Sequence, residues 1–169
     1  GGTAAQAKAL YDGISAGASN AEESTALLTA SNRLAVAGVT TVNIALDGLT
    51  SSLNAYGVSF KEAGDFSDSM FTAVRKGKTT IAELGASIGH VAPTASSLGV
   101  SFDELNAALA SITLKGIKTD QAATGLTAAL SNVIHPASEA AAEAFRLGIN
   151  FDAATLRAKG FRGFLDQIT

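Results

Sequence analysis

The sequence predicts an all-α fold, a compact array of short helices and helical hairpins joined by glycine-capped turns. Three observations predict it. Apolar residues recur at steps of three and four along almost all of the 169 residues, which places them on one face of each helix. At four points a serine or threonine is followed three residues later by glutamate, the spacing of a helix-starting capping box. Glycines precede these starts and are suited to end the helix before.

In chain order, these signals divide the sequence into nine predicted helical segments. Their ranges are 3–16, 20–36, 41–55, 60–75, 80–91, 102–114, 119–133, 137–147 and 152–168. The last segment is expected to break near Gly160, because glycine is a poor helix residue. His90 precedes Val91-Ala92-Pro93 and His135 precedes Pro136, so both histidines are expected at helix ends.

The residues singled out by this pattern have structural roles, as helix caps and turns. The predicted caps are Ser19, Ser59, Thr80 and Ser101. The predicted turn residues are Gly38, Gly57, Gly77, Gly99, Gly116 and Gly148. Positive φ is expected at four of these glycines, namely Gly57, Gly77, Gly99 and Gly116.

The turns also repeat along the chain. A G-x-x-T pattern begins at Gly38, Gly77 and Gly116, so it recurs every 39 residues. Periods near 40 are typical of helical repeat arrays, and an internal duplication is one explanation. Helices of regular length would produce the same spacing by chance, so both explanations stay open.

Composition excludes several classes of function. The length fits one domain over residues 1–169, and 47% hydrophobic residues with 16% charged ones exclude a disordered chain. A net charge of −3 provides no overall basic field for nucleic acid. The absence of cysteine excludes disulfides, thiolate catalysis and cysteine metal sites. The uncharged stretch 84–102 contains Pro93 and three glycines, which argues against a membrane-spanning helix, although a surface-lying amphipathic segment remains an alternative.

No catalytic pattern accompanies these features, so we expect no enzyme activity, cofactor or metal. The two histidines are 45 residues apart without HExxH spacing, and neither a P-loop, GxGxxG nor GxSxG occurs. Most paired carboxylates fall in first helical turns, where the helix dipole favours them. The basic clusters are Arg75-Lys76-Gly77-Lys78 and Arg157, Lys159 and Arg162. Phe161 and Phe164 beside the second cluster could stack on nucleic acid bases, but core packing is the preferred interpretation.

Several short motifs occur in a fixed order along the chain. They are Leu53-Asn54-Ala55-Tyr56-Gly57, Glu83-Leu84-Gly85, Val91-Ala92-Pro93, Leu98-Gly99-Val100-Ser101, Gly116-Ile117-Lys118 and Gly125-Leu126-Thr127-Ala128-Ala129-Leu130. With this order, the chain resembles the core region of the tail tape-measure proteins of long-tailed bacteriophages and prophages. One departure is polar Ser111 and Thr113 among the apolar positions after Leu105.

The resemblance implies a structural and assembly role in the phage tail, as part of the tape measure that sets tail length. It implies contacts with tail tube, tail-tip or baseplate and tail assembly chaperone proteins, allows self-association, and gives no sequence-specific nucleic acid binding. The implied location is the tail lumen of the virion, and the host cytoplasm during assembly. The chain begins without methionine, and we expect it to be a fragment of a much longer protein.

Two alternatives follow from the same resemblance. One is a membrane-active segment that aids DNA entry, with membrane contact only during DNA ejection. The other is a non-catalytic part of a cell-wall-degrading tail protein. A cell-wall hydrolase would require converging acids or a histidine site, and the sequence contains no such pattern.

Overall fold

The computed structural model describes residue 11 and residues 13–167, and this part of the chain is helical without strands, which confirms the all-α prediction. The helices are α1 (Ala21–Ala37), α2 (Val42–Tyr56), α3 (Ala63–Lys76, preceded by the 3-10 turn Phe60–Glu62), α4 (Ile81–Ser97), α5 (Phe102–Leu114), α6 (Thr119–Ile134), α7 (Ser138–Arg146) and α8 (Ala153–Leu165). The predicted helix over 3–16 falls largely outside the described residues. Most other boundaries agree with the sequence prediction within about two residues.

The first six helices form three successive pairs that stack in two layers. Helices α1, α3 and α5 pack side by side in the first layer, and α2, α4 and α6 pack side by side in the second. Four-residue turns connect the two members of each pair. Each pair therefore packs mainly on its sequence neighbours, as in helical repeat proteins.

Burial follows the 39-residue period of the turns. In the first layer, positions 39 residues apart are buried in all three helices: Ser24, Ala63 and Phe102; Leu27, Phe66 and Leu105; Ser31, Met70 and Leu109. The second layer repeats this with Ala45, Leu84 and Ala123. The spacing therefore corresponds to a structural repeat in which equivalent positions face the same core.

Small residues bring the helices close together. Helices α2 and α4 approach at Gly48 and Gly85, where a Cβ added to Gly48 would lie 3.2 Å from the Gly85 Cα. The buried serines beside such contacts are satisfied within their own helix: Ser52 Oγ donates to the Gly48 carbonyl at 2.6 Å and Ser31 Oγ to Leu27 at 2.8 Å. Hydroxyls can replace methyl groups here because the helix supplies their acceptors.

Helix α4 is longer than the sequence predicts and contains Pro93 in its interior. The predicted end at residue 91 is wrong, and His90 lies within the helix instead of at its end. Pro93 is on the exposed face, so water can solvate the Gly89 carbonyl that loses its partner. Val91, Ala92 and Ala95 are buried around it, and their packing holds the helix through the proline.

The C-terminal helices are attached differently. Helix α7 has no buried residue, and its Phe145 is 85% exposed. Helix α8 buries Leu156 and Phe164 and is kinked at Gly160, whose φ of 72° and ψ of 169° are not helical. The expected break at Gly160 therefore occurs, and the backbone beyond it begins a new helical turn.

Candidate functional site

The turns that join the layers differ in how they use glycine. Positive φ occurs at Gly57 (62°), Gly99 (76°), Gly116 (93°) and Gly148 (72°). At Gly57 and Gly99 this left-handed residue follows the last turn of α2 and α4, which is the geometry glycine adopts without strain. These turns return the chain from the second layer to the first.

Gly38 and Gly77 do not have the left-handed geometry. The φ angle is −91° at Gly38 and −106° at Gly77, so the expected positive φ at Gly77 is wrong. Close packing requires these glycines instead. A Cβ at Gly77 would lie 2.8 Å from both the Ala110 Cα and Thr113 Oγ1, and one at Gly38 would lie 2.3 Å from Ile81 Cγ1. In the first of these turns Val39 has the positive φ, 51°.

Two of the predicted caps form complete capping boxes. Thr80 accepts a hydrogen bond from the Glu83 amide at 3.2 Å, and Glu83 accepts from the Thr80 amide at 3.0 Å. Ser101 and Glu104 form the same reciprocal pair at the start of α5. Both N-termini thereby have two of their free amides satisfied.

The other two caps differ from the prediction. Asn20, not Ser19, caps α1, because its Oδ1 accepts from the Glu23 amide at 3.0 Å. Ser59 caps the 3-10 turn by accepting from the Lys61 amide, not from Glu62. Glu23 accepts from Ser59 Oγ at 2.7 Å and from the Ser19 amide at 2.8 Å. These hydrogen bonds, with that from Ser59 first, hold the pKa of Glu23 below its ordinary value.

A second glutamate links two of the layer-joining turns. Thr119 Oγ1 lies 2.8 Å from Thr79 Oγ1 and donates to Glu83 Oε2 at 3.3 Å. The Lys78 amide donates to Thr113 Oγ1 at 3.2 Å, so the polar Thr113 connects α5 to the turn between α3 and α4. The turns around Gly77 and Gly116 are thereby held to each other, around a cavity of about 540 Å³.

Glu104 attaches α8 to α5. Its Oε2 serves the capping box, while Oε1 accepts from the Phe161 amide at 3.1 Å, just after the kink at Gly160. Burial alone would raise the pKa of Glu104, but the hydrogen bonds from Ser101 and from the Phe161 and Arg162 amides outweigh it and lower the pKa. Arg157 adds a second attachment by donating to the Ser97 carbonyl at 2.7 Å.

An aromatic cluster lies where the end of α2 meets α3 and α5. The rings of Phe66 and Phe102 stack with centroids 4.2 Å apart, and Tyr56 packs edge-on against both. The Tyr56 hydroxyl donates to the Val100 carbonyl at 3.1 Å. Burial, with the nearby Glu104 charge, raises the pKa of Tyr56 well above its ordinary value. The cluster joins the end of α2 to α3 and α5.

Two grooves run along the outer face of the first layer. The α1–α3 groove, of about 620 Å³, is lined by a stripe from Glu22 to Arg33 and by Lys61 and Gly64. The α3–α5 groove, of about 550 Å³, is lined by a stripe from Asp65 to Lys76 and by residues of α5 between Asp103 and Ala110. The stripes correspond closely at the 39-residue period.

Among residue 11 and residues 13–167, the features weighed for catalysis, metals, membranes or nucleic acid do not converge on one site. In the part of the chain that the structure describes, no three acidic or histidine side chains could hold a metal ion. None of the helices in these residues combines the length and the hydropathy that a transmembrane span requires. Phe164 is buried against Phe151, with ring centroids 5.3 Å apart, and Phe161 packs on the core. Arg157 is bound to a helix end, as described above.

Sequence reasoning missed the contacts between repeats. It assigned Glu83 and Glu104 to their own helices, although each also binds a segment at least 36 residues away. It also passed over Asn106, which is 2% exposed and has one amide atom without a hydrogen-bond partner. A polar residue on the apolar stripe of α5 was the only sequence signal for it.

Comparisons with known proteins relate the chain to phage tail proteins. The family model described as phage-related minor tail protein matches residues 2–169. The tape measure protein of Pneumococcus phage Dp-1 is 30% identical over 105 residues, which cover 62% of this chain and 9% of that protein. The probable tape measure protein of Clostridium phage phiCD119 is 36% identical over 80 residues, 47% of this chain and 8% of that protein.

No solved structure matches the chain. The aligned segments span less than a tenth of the length of the two tape measure relatives. The family match covers nearly every residue. The chain therefore belongs to the phage-related minor tail protein family, as a region related to phage tail tape-measure proteins.

Proposed function

We propose that this chain is a folded structural module of a tape-measure protein, which serves tail assembly as a docking platform and is not part of the extended measuring length. The observation that supports this proposal most directly is that hydrogen bonds of Glu83, Thr119 and Thr113 join one repeat to the next. A ruler scales with residue number only where it is extended. These contacts instead favour a folded array.

The expected dimensions distinguish a folded module from an extended part of the measuring length. As one continuous helix, 169 residues would span about 250 Å at 1.5 Å per residue. A compact domain of this length has a radius of gyration of roughly 15 Å. Deleting the segment therefore removes either a module or a measurable length of tape.

The partners of this module are proteins of the assembling tail: the tube, the tail tip or baseplate, and the assembly chaperone. The support is the set of polar grooves and exposed turns on the first layer, together with the family match. The role is non-enzymatic and is exercised in the host cytoplasm during assembly and in the virion tail afterwards.

The test is an in-frame deletion of residues 1–169 from the parent protein, with tails measured by electron microscopy. We expect tail assembly or infectivity to be blocked. The matched control deletes an equally long stretch from elsewhere in the parent. Viable particles with tails shortened by about 250 Å would show that the segment is part of the extended measuring length, and would contradict the proposal.

A membrane-active segment is the second candidate, and the exposed apolar side of α7 favours it. Phe145 in this helix is 85% exposed, and Leu147, the residue that follows the helix, is 63% exposed. Leakage of a dye from liposomes, measured for the chain and for Phe145→Ser, tests this candidate. Leakage that requires Phe145 would support it, and no leakage from either protein would leave the docking platform as the remaining proposal.

A further inference from the structure

The two grooves of the first layer are built alike but carry different charges. Positions 39 residues apart line them: Ala26 and Asp65, Thr29 and Asp68, Gly64 and Asp103. The α1–α3 groove therefore has small or neutral residues where the α3–α5 groove has three aspartates. Because the backbone arrangement repeats, the groove pair provides an internal comparison of one site with and without these three aspartates.

The α1–α3 groove also neutralises its own carboxylate. Lys61 Nζ lies 2.8 Å from Glu22 Oε2 across that groove, and Arg33 lines its far end. In the α3–α5 groove, among the residues that the structure describes, no ion pair or side-chain hydrogen bond engages Asp65, Asp68 or Asp103. Lys76 lines that groove eight residues beyond Asp68, about 12 Å further along α3.

The floor of the α3–α5 groove contains a buried amide that lacks a partner. Asn106 is 2% exposed, and its Nδ2 donates to Ser69 Oγ at 3.0 Å. Its Oδ1 accepts no hydrogen bond. A buried carbonyl oxygen that has lost its water and found no donor destabilises the folded protein. The groove thus combines three unpaired carboxylates at its rim with an acceptor that lacks a donor at its floor.

We propose that the α3–α5 groove binds an arginine-bearing segment of a partner protein. A guanidinium carries five N–H donors in a planar fork, so one group can donate to a rim aspartate and to the Asn106 oxygen together. The stripe from Asp65 to Lys76 is about 16 Å long, enough for several residues of an extended peptide. Lys76 repels basic residues at the other end of the groove, so the bound segment is oriented with its arginines next to the aspartates.

This inference deepens the proposed assembly role and rests on it for the class of partner, a tail protein. The binding itself is measured on this chain. The probe is a labelled twelve-residue alanine-based peptide with three arginines, and its affinity is measured by fluorescence anisotropy. Two matched peptides replace arginine with lysine or with uncharged citrulline. Amide chemical shifts in NMR spectra locate the bound peptide.

The variants separate the groove from the general acidity of the protein. The triple variant Asp65→Asn/Asp68→Asn/Asp103→Asn removes the three negative charges. All three positions are exposed, so the fold should tolerate the substitutions. Circular dichroism verifies that the variant is folded. We expect it to weaken binding of the arginine peptide at least tenfold. Glu22→Gln/Asp47→Asn/Glu139→Gln removes the same number of charges from exposed positions outside this groove, so it is the matched control and should change the affinity less than twofold. Asn106→Leu should weaken the arginine peptide at least threefold and leave the lysine peptide unchanged.

Several outcomes would overturn the proposal. They are unchanged affinity in the triple variant, equal affinity for arginine and lysine peptides, or shifts confined to the α1–α3 groove. Self-association of the chain that the triple variant abolishes would make a second copy the occupant and would also refute it. Absence of peptide binding together with blocked assembly in the deletion mutant would refute the groove and retain the proposed function.

Discussion

The stacked array from α1 to α6 and the C-terminal helices α7 and α8 are stabilised in different ways. The array buries large side chains completely, including Leu49, Met70 and Leu84, and each helix pair packs on its neighbours. Helix α7 buries none, and α8 is held by two buried side chains and by hydrogen bonds to Glu104 and Ser97. Apolar packing therefore sets the stability of the array, whereas the attachment of α8 combines a small apolar contact with polar contacts.

The largest difference between the two regions should appear on truncation of apolar side chains. Leu84→Ala removes a fully buried side chain at the centre of the second layer and is expected to cost about 2–5 kcal/mol of unfolding free energy. Phe145→Ala in α7 should stay within about 0.5 kcal/mol, since the ring is exposed. Urea denaturation of both variants measures the contrast, and equal losses would contradict it.

The close turn at Gly77 should be the next most sensitive feature. Gly77→Ala places a methyl group 2.8 Å from the Ala110 Cα, and we expect a loss of about 1–3 kcal/mol. Gly125→Ala is the matched control, because nothing lies within 4 Å of a Cβ at this exposed position in α6. The control should be neutral or stabilising by up to about 1 kcal/mol. Thermal melts that reverse this order would show that Gly77 is not needed for packing.

The attachment of α8 should respond to Glu104 and to acid. Glu104→Gln weakens the hydrogen bond from Phe161, and a loss of about 1 kcal/mol would make local opening of α8 roughly fivefold more frequent. Hydrogen exchange of the α8 amides measures this, with the amides of α4 as control. Equal acceleration in both helices would indicate a global effect.

The pH dependence follows from the lowered pKa of Glu104. A depressed pKa means that the carboxylate stabilises the folded protein above the ordinary value of 4.5 and that this contribution is lost as the pH falls through the lower folded value. We expect the Phe161 amide resonance to shift on the acid side of pH 4.5 in the unmodified chain and not in Glu104→Gln. The same shift in the variant would assign it to another group.

A smaller effect, in the stabilising direction, is expected at Val39. Its φ of 51° is strained for a β-branched residue, and the side chain is 93% exposed, so it contributes little packing. Val39→Gly removes this backbone strain, although glycine also adds entropy to the unfolded chain. The net result should be a rise in the unfolding free energy of about 0.5–1 kcal/mol. Val36→Gly, at an exposed helical position, is the matched control and should be destabilising.

The histidines should give the smallest effects. His90 and His135 are exposed, and His135 contributes its backbone to the end of α6. We expect His90→Ala and His135→Ala to change the unfolding free energy by less than about 0.5 kcal/mol. A larger loss in thermal melts would show that a histidine side chain makes a stabilising contact.

Sequence reasoning predicted what depends on nearby residues and missed what depends on neighbouring helices. Thr80 with Glu83 could be recognised because a capping box is local. Helix α4 continues through Pro93 because side chains around it are buried, and the sequence does not show which helices bury them. Gly77 avoids positive φ for a similar reason: its constraint is Ala110, 33 positions along the chain. The unpaired Asn106 amide likewise becomes visible only when α3 lies beside α5.

The nearest-neighbour stacking of helix pairs has a mechanical consequence. A force that pulls the two ends of the array apart acts on one interface at a time, because each pair is anchored mainly to the pairs next to it. Each detached repeat of 39 residues, the spacing of Gly38, Gly77 and Gly116, releases about 130 Å of extended chain. Stretched in an optical trap, the chain should lengthen in steps of that size and shorten again by the same steps when the load is removed.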